Sequence, residues 1–72
     1  MKKIKKIEIK VNGKIKSIPK DYKVSNLLRD INISLKKVAI ELNQEIIDKK
    51  NISKISLKKD DKIEIVHFIG GG

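Results

Sequence analysis

Apolar and polar residues alternate at the start of the chain. Ile7, Ile9 and Val11 are separated by Glu8 and Lys10. A period of two sends one set of side chains to each face of a strand, so this run predicts a half-buried strand. Asn12-Gly13 follows. Both residues tolerate positive φ, and the pair predicts a tight hairpin. The returning strand is expected over 14–18, ended by Pro19, which has no backbone donor. After a polar connection over 20–23 the period changes. Val24, Leu27, Leu28 and Ile31 recur at spacings of three, four and seven, the signature of one apolar helix face. Ser25 is a candidate N-cap; otherwise the helix starts one or two residues earlier without a good cap. Asn32 is its expected stop, because asparagine accepts the left-handed conformation.

Period two returns at 38–42. Val38, Ile40 and Leu42 fall on one side, Ala39 and Glu41 on the other. Asn43-Gln44 is expected as a turn and 45–48 as a short strand. Asn51 or Ser53 is expected to start a single helical or 3₁₀ turn that tucks Ile52 and Ile55 inward. Asp60-Asp61 then turns the chain into a last strand over 62–69. No repeat or linker divides these elements. Two strands precede the one clear helix, and at least two follow it. One helix covering one face of a small mixed sheet of four to five strands is an α+β, β-grasp (ubiquitin-like) arrangement, expected as a single domain over 1–69. The last strand is expected at the centre of the sheet. Ile63 and Ile65 have the parity of the helix side. Val66 and Phe68 have the other, and with Ile69 they are candidate partner-binding residues.

Composition narrows the chemistry. A chain of 72 residues has a modest core and little room for an enclosed active-site cavity. It has no cysteine, hence no disulfide, no thiolate metal site and no thiol nucleophile of its own; sulfur chemistry would need sulfur from outside. His67 is the lone histidine, and no companions suggest a metal site. The net charge of +9 is almost all lysine, spread along the chain. The single arginine, Arg29, and the scarcity of aromatics argue against nucleic-acid recognition. The frequency of lysine, isoleucine and asparagine fits an AT-rich genome. No secretory signal or apolar run of membrane-spanning length is visible, so a cytoplasmic location is expected.

Three of the four glycines are Gly70, Gly71 and Gly72. A side-chain-free segment passes through a channel too narrow for other residues and leaves a following carboxylate accessible. A frayed terminus has the same composition. The alternative is a carrier whose working group is the carboxylate of Gly72, with 70–72 as a flexible glycine tail.

Two segments carry a family resemblance. Val38-Ala39-Ile40-Glu41-Leu42-Asn43-Gln44-Glu45-Ile46-Ile47 and Asp61-Lys62-Ile63-Glu64-Ile65-Val66-His67-Phe68-Ile69-Gly70-Gly71-Gly72 resemble the central and closing segments of the thiamine-biosynthesis sulfur carrier family. The Asn12-Gly13 turn and the Val24-Ser25-Asn26-Leu27-Leu28 helix start fit the same pattern. The resemblance implies that a ubiquitin-activating-type enzyme adenylates Gly72 with ATP, and that a cysteine desulfurase or related donor supplies sulfur indirectly. The resulting thiocarboxylate would feed thiazole synthase. Gly70 and Gly71 would thread the partner channels. The chain would be a protein cosubstrate, not an enzyme, with no bound cofactor, no nucleic acid and no membrane as partner. Gln44 and Asp60-Asp61 stand where the family usually has glycine, and Lys23 where a threonine cap is common. The competing readings are the small subunit of molybdopterin synthase, a protein-tagging modifier with the same tail chemistry, and a basic RNA-binding β-grasp module.

Overall fold

The computed structural model describes residues 5–67. The first hairpin pairs β1 (Lys6–Val11) with β2 (Lys14–Pro19), antiparallel, with Ile7 opposite Ile18 and Val11 opposite Lys14. The turn between them has Asn12 at φ 50° and Gly13 at φ 83°, the left-handed pair that matches strand twist. The helix α1 (Val24–Asp30) follows, then β3 (Val38–Leu42), β4 (Glu45–Ile46) and β5 (Lys62–His67). The strand order is β2-β1-β5-β3-β4. β5 is therefore central. It runs parallel to β1 and antiparallel to β3. The mixed sheet on one helix agrees with the β-grasp expectation.

One core joins these layers. Val24, Leu27 and Leu28 of α1 are buried against Ile9, Ile18, Val38, Ile40, Ile63 and Ile65 of the sheet. No buried residue of the described chain is polar or charged. Burying these aliphatic side chains stabilises the fold by roughly 1.5–3 kcal/mol each relative to exposure.

Both ends of α1 have a physical cause. Ser25 is not the cap. The helix begins at Val24, and the N-cap is Lys23, whose N–H donates to Asn26 Oδ1 at 3.0 Å. The first helical N–H groups are satisfied by the distant 52–55 segment: Val24 donates to the Ile55 carbonyl (3.0 Å) and Ser25 to that of Ile52 (3.1 Å). At the other end Asn32 has φ 56°. Its N–H donates to the Arg29 carbonyl, and Ile33 N–H to that of Leu28, both at 3.1 Å. Those two bonds are the Schellman pattern, so Asn32 stops the helix as expected.

The segment before β5 departs from expectation. β4 has only two residues, both exposed, although Ile47 N–H still reaches the Ile40 carbonyl. The 3₁₀ turn starts at Lys49, not at Asn51 or Ser53, because Asp48 caps it by accepting from Lys50 N–H at 2.9 Å. A second 3₁₀ turn, Leu35–Lys37, leads into β3. Ile52 is buried and Ile55 half-buried. Leu57 is 2% exposed and belongs to the core, a role its polar neighbours conceal.

Candidate functional site

β5 carries the chain toward Gly70–Gly72, and both of its flanks are pinned where it begins. On the β1 side, Lys10 N–H donates to the Asp61 carbonyl and Asn12 N–H to that of Ile63, each at 2.9 Å. β1 then turns away, and the Asn12 side chain continues the ladder: its Oδ1 accepts from Ile65 N–H at 2.7 Å. On the β3 side, Asn43 N–H donates to the Lys62 carbonyl at 2.7 Å, and Asn43 Oδ1 accepts from Lys62 N–H at 2.9 Å. Asn43 Nδ2 also reaches Asp61 Oδ1 at 3.0 Å. Each asparagine sits in a left-handed turn position, at φ 50° and 52°. Two tight turns thus grip the strand from opposite edges, and their side chains do it through bonds no residue spacing reveals.

The register sorts the sheet's faces. Ile63 and Ile65, opposite Leu42 and Ile40, point to the helix and are buried. Glu64 and Val66, opposite Glu41 and Ala39, point away. Val66 is 49% exposed, as its parity predicts. Ile46, opposite Glu41, and Ile15, opposite Lys10, share that outer face and are 75% and 67% exposed. The outer face thus has three exposed aliphatic side chains among Glu8, Lys10, Lys62, Glu64 and Glu41. Sequence reading singled out Val66 and missed Ile15 and Ile46; their alternation with inward neighbours was the available signal. Phe68, Ile69, Gly70, Gly71 and Gly72 lie outside the described residues.

No described helix is long and apolar enough to cross a membrane. The arrangement offers a rigid strand that ends beside an exposed, partly apolar face.

Comparison with known proteins gives this arrangement a family context. Residues 9–72 match the model of the ThiS family. The chain is similar to the sulfur carrier protein ThiS of Bacillus subtilis, 40% identical over 65 residues, covering 89% of this chain and 98% of that one. It is also similar to a thiazole synthase of Paramagnetospirillum magneticum, 35% identical over 66 residues, and spans 20% of that protein's length. The crystal structure of thiamine biosynthesis protein ThiS from Geobacter metallireducens superposes with a TM-score of 0.80 at 28% identity, covering 92% of this chain and all of that one.

Proposed function

The chain belongs to the ThiS family, and on that premise we propose that it is a sulfur carrier of thiamine biosynthesis, a protein cosubstrate whose reactive group is the carboxylate of Gly72. The observation that carries this reading is the family match through residue 72, which includes the glycine triplet. A carboxylate shares its negative charge over two oxygens and is a poor electrophile. Held in an adenylating partner, the carboxylate oxygen attacks the α-phosphorus of ATP; pyrophosphate leaves and an acyl adenylate remains. The adenylate's carbonyl carbon then accepts a sulfur nucleophile, and AMP leaves. When that nucleophile is the terminal sulfur of a persulfide, the product is an acyl disulfide. A thiol reductant cleaves its S–S bond, is itself oxidised and frees the donor thiol. This leaves on Gly72 a thiocarboxylate, an anionic nucleophile that thiazole synthase would use in building the thiazole ring. Cysteine, by way of a desulfurase, is the proposed ultimate sulfur source.

The body of the protein supplies position in this scheme. Asn12 and Asn43 hold β5 from both edges, so the five residues after His67 start from a fixed point. At the extended limit of about 3.6 Å per residue, the Gly72 carboxylate lies within about 18 Å of His67. Gly70 and Gly71 keep that span narrow enough to thread a channel. Val66, Phe68 and Ile69 are the proposed partner contacts.

The test is the intact mass of the protein after incubation with its adenylating enzyme, a cysteine desulfurase, cysteine, ATP and reductant. Replacement of one carboxylate oxygen by sulfur adds about 16 Da. Deletion of Gly72 is expected to abolish the gain and leave the circular dichroism spectrum unchanged. No gain in the unaltered protein would sink the carrier reading. Loss of thiamine prototrophy on gene deletion, with molybdenum enzymes still active, separates it from a molybdopterin role.

A further inference from the structure

The lysine excess is not uniform in its relation to β5. Two 3₁₀ turns, Leu35–Lys37 and Lys49–Asn51, lie side by side, tied by a hydrogen bond from Lys49 Nζ to the Leu35 carbonyl. The first runs directly into Val38, the cross-strand partner of His67. Lys36, Lys37, Lys49 and Lys50 are all exposed there. The acid among them is Asp48, whose Oδ1 is engaged by the Lys50 N–H. The result is a cationic collar at the end of β5 from which Gly72 is reached in five residues.

We propose that this collar docks against an acidic rim around the channel of thiazole synthase that receives residues 70–72. The inference rests on the sulfur-carrier reading above and adds the charge of the partner's surface to it. Its argument is reach. Any protein holding Gly72 must come within about 18 Å of His67, and the collar lies beside that strand end, since Lys37 adjoins Val38, the partner of His67. At low salt, exposed lysines beside the mouth raise the encounter rate with an acidic surface and repel a basic one. A protein rim suits these lysines better than nucleic acid, because the collar contains no arginine and no aromatic for stacking.

The experiment measures association of the unmodified carrier with the thiazole synthase of the same organism across salt concentrations. One variant, Lys36→Gln/Lys37→Gln/Lys50→Gln, removes three collar charges and keeps Lys49 and its bond to Leu35. A charge-matched control, Lys20→Gln/Lys58→Gln/Lys59→Gln, changes the hollow beside Ile7, near the start of β1 and so at the opposite end of the sheet. At low salt the collar variant is expected to associate about tenfold more slowly than the unaltered protein, and the control within about twofold. Near 1 M salt, where the screening length is about 3 Å, all three are expected to converge. Equal losses in both variants would mean that only net charge matters and would overturn the collar. So would a collar variant indistinguishable from the unaltered protein, or tight binding of RNA oligonucleotides that the collar variant alone loses. If the unaltered protein gains the sulfur mass but the collar variant binds normally, the carrier reading stands and the collar falls. If the unaltered protein neither gains sulfur nor binds the synthase, the reading itself fails and takes the collar with it.

Discussion

Asn12 does two things with separate parts of itself. Its backbone takes the left-handed turn position, and its side chain satisfies Ile65 N–H across the sheet. Asn12→Gly keeps the turn and deletes only the second role. It is expected to lower stability by about 1 kcal/mol and to speed amide exchange at Ile65, whereas Asn12→Asp, which retains an acceptor, is expected to preserve protection. Unchanged exchange at Ile65 in the glycine variant would show that the bond does not hold β5. Gln44 and Asp60 pose the reverse case. They sit at φ 73° and 68°, where a β-carbon is strained, and the family resemblance calls for glycine at Gln44 and in the Asp60-Asp61 turn. Gln44→Gly relieves that strain but loosens the unfolded chain, for an expected net gain of about 0.5–1 kcal/mol. For a domain of this size the thermal midpoint is expected to rise by about 2–8 °C. Tyr22 supplies a residue-scale titration. Its hydroxyl donates to an Asp30 carboxylate oxygen, and that bond, with lesser help from desolvation and the carboxylate's charge, raises its pKa above 10.0. Because the folded value exceeds the unfolded one, the stabilisation is fully present below pH 10 and is lost as pH rises through the folded pKa. Tyr22 is the only tyrosine, so ultraviolet titration reads it alone. Asp30→Asn is expected to bring the midpoint back toward 10.0.

Among the elements, the 47–61 segment contributes more than its irregular shape suggests. It supplies the carbonyls that cap α1, and its Leu57 N–H donates to the Tyr22 carbonyl at 2.7 Å. Lys23 Nζ reaches Ser56 Oγ at 2.8 Å beside that contact. The helix has seven residues, too few to be stable alone, so its existence depends on this plug and on its buried face. Leu57→Ala is expected to cost about 2–4 kcal/mol and to unravel the start of α1 first, visible as early exchange at Val24 and Ser25. Equal exchange at both ends of α1 would argue against that order. The contrast with the strands explains what the sequence reveals. β1, β3 and β5 are legible because one face meets the helix and the other meets water, which imposes a period of two. The hairpin and Asn32 are legible because positive φ restricts residue choice. Leu57, the start of the 3₁₀ turn and the brevity of β4 are not legible. The 3₁₀ start is set locally by the Asp48 cap, a signal that competes with Asn51 and Ser53 in the sequence. Leu57 and β4 depend on partners far along the chain, and a lone apolar residue among lysines has no period to announce it. Of the candidate site, Val66 was readable from parity, whereas the asparagine clamps on β5 depend on contacts 53 and 19 residues apart.

At the scale of the whole molecule, the sheet has one face closed by α1 and one left open, with Val66, Ile46 and Ile15 exposed at three places on it. Their positions are not equivalent. Val66 lies one residue before the end of β5, opposite Ala39, whereas Ile15 lies on the edge strand β2, opposite Lys10. In the proposed docking arrangement a partner that holds Gly72 would meet the first and need not reach the second. Substitution by threonine separates docking from folding here. Threonine keeps the branched β-carbon that suits a strand, and at exposed sites it disturbs no core packing. Val66→Thr is expected to raise the concentration of carrier needed for half-maximal thiazole synthase turnover by about 3–10-fold, equivalent to about 0.7–1.4 kcal/mol of lost contact. Ile15→Thr is expected to change it by less than twofold. Both are expected to leave the thermal midpoint within about 3 °C of the unaltered protein. Steady-state titration of each variant, loaded with sulfur to the same degree, measures the difference. A larger effect at Ile15 than at Val66 would move the docking surface to the far edge of the sheet, and the strand that leads to Gly72 would then no longer organise the encounter.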